Sequence, residues 1–198
     1  TWCRCNLRRC GALVVQGALH AVGTETDSIR FLRGTASGHG GISVNSTDSS
    51  SIAYARISGA GGSAPAPAFG LIANNCRMSM AHVVIRDNDH GGIASGLSTL
   101  HLQSCTIERN SATTTGYMNG GGLALGNADV TLVDCVIRDN YAMEHGGAIK
   151  ITGTTQTAYL DMTRCSVTGN SSDMYAGGLC VWPGSDVKLT NCTIAGNT

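Results

Sequence analysis

The chain has 198 residues, a formal net charge of zero and only 13% Asp, Glu, Lys and Arg. Such a composition leaves no basic stripe for nucleic acid, and no apolar run reaches the roughly eighteen residues that a membrane helix needs. Twenty-seven Gly against three Pro and 5% aromatic residues describe a backbone that turns tightly and approaches itself closely, with few bulky side chains to fill a core.

Residues 1–12 carry Cys3, Cys5 and Cys10, which read as an N-terminal cap or partial rung closed by at least one local bridge. No signal peptide opens the chain, and its last residues fall inside a repeat, so it reads as a processed or trimmed piece of something longer. Residues 13–198 repeat. A Gly pair followed by alternating apolar residues recurs at Gly40-Gly41-Ile42, Gly91-Gly92-Ile93, Gly121-Gly122-Leu123, Gly146-Gly147-Ala148-Ile149 and Gly177-Gly178-Leu179. Alternation at a period of two predicts strands.

A second frame follows each pair: apolar-x-apolar-x-x-(Cys or Val), then x-(Ile or Val)-x-x-Asn. It is complete at 78–88, 100–110, 130–140, 160–170 and 187–197. Its closing residues, Asn88, Asn110, Asn140, Asn170 and Asn197, step by 22, 30, 30 and 27 positions. A repeat of this length signals a solenoid or array. Three short strands and three turns per unit describe one rung of a parallel β-helix. About seven rungs at about 4.8 Å give a rod of roughly 30–35 Å.

The apolar positions then form columns. One reads Leu13, Ile42, Leu71, Ile93, Leu123, Ile149, Leu179; the next reads Ile29, Ile52, Met78, Leu100, Val130, Leu160, Val187. In the third column the early rungs fit poorly, with Gly34 and Ile57 standing where later rungs have Cys. The five Asn are expected to form an inner ladder in which each amide bonds the next, since buried polar groups persist only when paired. The rival reading makes them solvent-facing turn residues.

The combination of Gly-Gly-Ala-Ile at 146–149 with Ile/Val-x-x-Asn resembles the repeats of chlamydial polymorphic outer membrane proteins, and more broadly the pectate-lyase-like class. The resemblance covers roughly residues 38–198. It implies a right-handed parallel β-helix and a surface adhesin role. This chain has Ile or Val where the adhesin repeat has Phe, and it adds a column of Cys.

That column is Cys105, Cys135, Cys165 and Cys192, one per rung. As thiols they fill a narrow core. As bridges, Cys105–Cys135 and Cys165–Cys192 would staple neighbouring rungs, since the rung spacing falls within the Cα separation that a disulfide tolerates. A single line of thiols does not make a tetrahedral metal site. Cys180 falls out of phase with Leu179 and Val181 and is expected to face outward, which makes it the candidate for a bridge to another molecule. Nine cysteines, together with sequons at Asn45, Asn170 and Asn191, favour an oxidising, extracellular or cell-surface setting.

No catalytic residue, metal or cofactor is expected. The outward row of the Gly-Gly strand (Ser43, Ile72, Ala94, Ala124, Lys150, Cys180) is bland, whereas pectate-lyase-like enzymes gather Asp, Lys, Arg or His there. The second strand is expected to expose Arg30, Ala53, Arg77, His101, Thr131, Asp161 and Lys188, with Asp161 and Lys188 as a surface ion pair. His39, His90 and His145 precede Gly pairs and read as turn residues. An ice-binding face would need flat Thr rows. The row Thr35, Ser58, Val84, Thr106, Val136, Ser166, Thr193 is broken, and its neighbour (Arg86, Glu108, Arg138, Thr168, Ala195) is charged.

The expectation is therefore an extracellular structural or adhesive β-helix module, a stalk or filament of a surface glycoprotein. Its partners would be copies of itself, other surface glycoproteins or glycans. Connections at 60–69, 111–119 and 152–158, with the stiff Ser63–Ala68 run, would decorate its sides. A carbohydrate-binding or polysaccharide-cleaving domain is the alternative, and an ice-binding solenoid the second.

Overall fold

The structure is a computed structural model and describes residues 4–7, 11–33, 40–61, 69–113 and 120–198. Cys3, Cys10, Gly34, Thr35, His39, the Ser63–Ala68 run and residues 114–119 lie outside that set, and Cys5 is described through its backbone alone.

Every strand pairing among the described residues is parallel and joins consecutive turns of the chain. The Gly-Gly strands build a seven-stranded sheet in chain order, one strand per rung. The first column holds at every step: Leu13, Ile42, Leu71, Ile93, Leu123, Ile149 and Leu179 stand in direct register. The five from Ile42 to Ile149 are completely buried.

The remaining strands differ from the expected arrangement in two ways. The second and third strands of each rung belong to one bent sheet; in the rungs of Ser49–Ser58 and Arg77–Arg86 they run as single ten-residue strands. A third sheet, made of the two-residue strands Ser111–Ala112, Tyr141–Ala142 and Ser171–Ser172, follows the Asn positions. Two residues carry no readable periodicity, which is why this sheet has no signature in the sequence.

The second column is correct from Met78 through Leu100, Val130 and Leu160 to Val187. It is wrong above that. Ile52 stands over Met80, and Ser50 stands over Met78. Ile29 stands over Ala55, which stands over Val83, the position Cys105 takes in the next rung. Ile29 and Ala55, rather than Gly34 and Ile57, therefore precede the Cys column. Ile57 belongs instead to the buried column of Phe31, Ile85, Ile107, Ile137 and Val167. A small residue, Ser50 or Ala55, occupies a slot that holds a larger apolar residue in the rung below. The outward row shifts with it, and Ser51, Ser79, His101, Thr131, Asp161 and Lys188 share a line without Arg30, Ala53 or Arg77.

The corners explain how a rung closes. The residue before each inner column adopts a left-handed conformation: Tyr54, His82, Ser104, Asp134, Arg164 and Asn191 before the Cys column; Asp87, Arg109, Asp139, Gly169 and Gly196 before the Asn column. A single left-handed residue bends the strand within one step, at a small local cost for a non-glycine residue. At the Gly pairs, close approach sets the residue type. A Cβ on Gly122 would lie 2.5 Å from the carbonyl oxygen of Ala148 in the next rung.

The Asn residues form the ladder. In each of Asn110, Asn140 and Asn170, Oδ1 accepts from both the backbone N–H and the Nδ2–H of the preceding Asn, at 2.8–3.3 Å. Asn197 receives Asn170 in the same way at 3.0 and 2.9 Å. The second Nδ2 proton goes to a strand carbonyl: Asn110 to Ile85, Asn140 to Ile107, Asn170 to Ile137, Asn197 to Val167. Asn88, Asn110, Asn140 and Asn170 are at most 1% exposed, which excludes the solvent-facing reading. In Asn110, Asn140 and Asn170 both amide protons and both oxygen lone pairs are used.

Replacing Asn140 therefore orphans buried groups on both sides. Asn140→Ala is expected to cost about 3 kcal/mol or more, since each unsatisfied buried group costs about 1–3 kcal/mol. Equilibrium denaturation of the two proteins measures it. Asn140→Asp is expected to lose more at neutral pH than at acid pH, because the carboxylate removes two donors and buries a charge.

Candidate functional site

Four outward or inward clusters carry chemistry. The first is the cysteine column. Cys105, Cys135, Cys165 and Cys192 stack as expected, and all are free thiols. Each donates toward a backbone carbonyl of the preceding rung: Met80, Leu102, Leu132 and Met162, at 3.4–3.6 Å. The bridged reading is not what the structure shows. The thiols instead fill the core and lie against carbonyls of the preceding rung. The hydrogen bond shared with Cys105 pushes the Cys135 thiol up to about 12. The contact with Cys135, followed by burial, pushes Cys165 upward as well. Cys76, which the repeat frame did not place, is a further buried thiol raised by burial. Its N–H donates to Ser98 Oγ at 3.1 Å.

The second cluster surrounds Glu108. This residue belongs to the charged outward row, yet its side chain is only 5% exposed. Arg86, Arg109 and Arg138 close over it at 3.4, 2.9 and 2.6 Å, from three rungs. Burial by itself would raise the Glu108 pKa; the hydrogen bond from Arg138, then the charges of Arg109 and Arg138, outweigh it and hold the carboxyl below its ordinary range. At the neighbouring corner Asp87 receives Arg109 at 3.0 Å.

The third cluster lies on the outer face of the Gly-Gly sheet, which is more covered than its bland row implied. Ala94 and Ala124 are buried beneath Phe69. Lys150 and Cys180 stand side by side in register and are 4% and 8% exposed. Trp182 Nε1 donates to Cys180 Sγ at 3.0 Å, and Lys150 Nζ sits 5.2 Å from the Trp182 ring centre. Burial lowers the Lys150 pKa. Cys180 does face off the sheet, but Trp182 closes over it, so a bridge to another molecule requires that ring to move. His145 packs between Tyr175 and Trp182, at 5.0 and 5.2 Å between ring centres.

The fourth is a groove of about 480 Å³ at the left-handed corner of the first rungs. In later rungs one residue makes this corner. In the first, residues 23–28 are inserted between Val22, which pairs with Ala53, and Ile29, which pairs with Ala55. The insertion is a closed turn, with Thr24 N–H donating to the Asp27 carbonyl and Asp27 N–H to Thr24 Oγ1, both at 3.0 Å. It makes a lip beside Tyr54. Tyr54 and His82, the corner residues of the next two rungs, stack with ring centres 4.7 Å apart and planes 14° from parallel. Arg30 and Arg56 stand in register on the floor. Burial, then the charge of Arg86, lowers the Arg56 pKa.

Other expected sites fall out simply. Asp161 and Lys188 form an exposed ion pair at 3.1 Å, of little energetic weight. Asn45 and Asn191 are exposed, whereas Asn170 is wholly buried in the ladder, so the folded rung gives its sequon no access to a sugar. Residues 152–158 wrap onto Asn127, whose Oδ1 accepts from the backbone N–H of Thr154 at 2.6 Å and Thr155 at 3.0 Å. Among the described residues no group of three or more His, Cys, Asp or Glu is placed to hold a metal, and no helix is long and apolar enough to cross a membrane.

Comparison with protein families matches residues 23–198 to the family described as Right handed beta helix region. The chain belongs to the right-handed beta helix family. No match is found among curated proteins or among solved structures. For a right-handed β-helix, the sequence had already shown the ladder, the Cys column and the Gly-Gly sheet. It missed the groove, because the slip of the early rungs hid that Arg30 and Arg56 are neighbours. The charged row around Glu108 was visible, but its burial was not.

Two measurements follow. Thiol titration with a chromogenic disulfide reagent is expected to leave the stacked cysteines unreacted in the folded protein and to count them only after denaturation. For Glu108, a depressed pKa means stability that is complete above the free carboxyl value of about 4.3 and lost as pH falls through the folded value. Melting curves should therefore show wild type losing stability on acidification through that window, and Glu108→Gln losing less there from a lower starting point.

Proposed function

We propose that this β-helix is a non-catalytic structural or adhesive module of an extracellular or cell-surface protein. The observation that carries this reading is the unbroken inner ladder, which runs from the Ala60 N–H, donating to Asn88 at 2.9 Å, through to Asn197. A rod whose Asn corner is hydrogen-bonded from rung to rung resists local opening there, and it presents turns along its sides. The exposed sequons at Asn45 and Asn191 and the high cysteine count support an extracellular setting. Burial of Ala94 and Ala124 supports a scaffold role for a face on which a substrate cleft would otherwise sit.

The test combines two assays. The purified folded chain is expected to survive trypsin with cleavage confined to its turns, and to show no turnover of polyuronides by ultraviolet absorbance of unsaturated products. Rapid cleavage within the rungs, or steady product formation that disappears on mutating an outer-face residue, overturns the reading.

A further inference from the structure

An amine and a thiol on the outer face of the Gly-Gly sheet form a chemical pair that a scaffold does not need. Lys150 and Cys180 are opposed residues on adjacent parallel strands, so their side chains leave the same face from backbones about 4.8 Å apart. Elsewhere in this row Ser43, Ile72, Ala94 and Ala124 carry neither group. The two side chains share one lid. Trp182 Nε1 donates to Cys180 Sγ at 3.0 Å, and Lys150 Nζ lies 5.2 Å from the ring centre of the same indole. Both residues are more than nine-tenths buried. Among the described residues the Lys150 amine makes no hydrogen bond and no ion pair. A charged amine so enclosed and unpaired is disfavoured; burial lowers the Lys150 pKa against the opposing influence of Cys180 and Glu144. A neutral amine is a nucleophile, and its flexible four-carbon stem can reach the next rung.

We propose that Lys150 and Cys180 are a modification site, which hydrogen peroxide closes into a covalent Nζ–Sγ bridge, a sulfenamide. The Sγ electron pair takes one peroxide oxygen; the O–O bond breaks, the other oxygen leaves as water, and Cys180 becomes a sulfenic acid. The Nζ lone pair then displaces the new hydroxyl. The S–O bond breaks, an N–S bond forms, and the hydroxide leaves with an amine proton as a second water. Sulfur is oxidised and the peroxide is reduced. Sulfenic acids condense in this way with a nitrogen when no thiol stands closer. The stacked thiols Cys105, Cys135 and Cys165 belong to the core, whereas Cys180 lies off the outer face, so they do not compete. Trp182 is itself 40% exposed, and a molecule little larger than water approaches at its edge. Unlike a bridge to another molecule, this bond leaves the ring in place. It would staple Ile149–Thr152 to Leu179–Val181 until a reductant reopens it. The site stands apart from the scaffold reading, because the rod keeps its interior with or without the bond.

Peptide mapping of the whole folded chain tests it, after limited treatment with hydrogen peroxide and alkylation of the remaining thiols. Treated wild type is expected to lose tryptic cleavage after Lys150. Residues 139–164 should then appear joined to residues 165–188. Their mass should fall two hydrogens below the sum of the parts, sulfoxide at the exposed Met143 and Met174 aside. Dithiothreitol should separate them and restore the cut. Cys180→Ser should give no joined peptide, which rules out Cys165 on the same fragment as the partner. Lys150→Arg keeps the positive charge and removes the amine. Its Cys180 should stay a sulfenic acid and take up dimedone several-fold more than wild type does. Thermal melts confirm that each variant is folded, and peroxide should raise the midpoint of wild type alone. Equal dimedone labelling of wild type and Lys150→Arg overturns the bridge. So does a Cys180 that passes to sulfinic acid with cleavage after Lys150 intact, or one that peroxide leaves unchanged.

Discussion

One hydrogen-bonding pattern governs this molecule: each ladder Asn takes two protons from the Asn before it and gives one to a strand in the neighbouring turn. A displaced rung would break these bonds together, and with them the backbone ladders on either side. The register of the whole solenoid is therefore held at the Asn corner, and the apolar columns follow from it. Burial of Ile85, Ile107, Ile137 and Val167 in a line is as much a result of that register as its cause, since apolar contacts alone tolerate sliding in a way that directional bonds do not.

The cysteines fit this picture as small core residues. Their rung spacing admits disulfides, but directly stacked side chains lie wider apart than a disulfide's ideal Cβ separation, and here the sulfurs meet carbonyls instead. The bend at this place is made by the left-handed residue immediately before each Cys. Thiol column and corner column are thus two sides of one turn.

How much of this could be read beforehand depended on how regular the rungs are. From Met78 onward a large apolar residue or Cys occupies each inner slot, and the frame placed column and ladder residues correctly. Above Met78, Ser50, Ala55 and Ala21 occupy inner slots. A reading that seeks large side chains then locks onto the wrong positions by two residues. That same slip concealed the groove, which exists because residues 23–28 expand a single corner position into a turn. The burial of Glu108 and Lys150 depended on what lies over the outer faces, Arg138 in one case and Trp182 in the other. Periodicity carries no information about such cover.

The corner column has one more consequence. Tyr54, His82, Ser104, Asp134, Arg164 and Asn191 share a backbone conformation and nothing else. Stability asks only that each bend the chain, so chemistry at these places is unconstrained from one layer to the next. Adjacent choices already pair off, ring upon ring at Tyr54 and His82, acid upon base at Asp134 and Arg164. The molecule thus has a pegboard along one edge, on which new surface properties can be assembled by point substitution without disturbing the interior that holds the pegs in line.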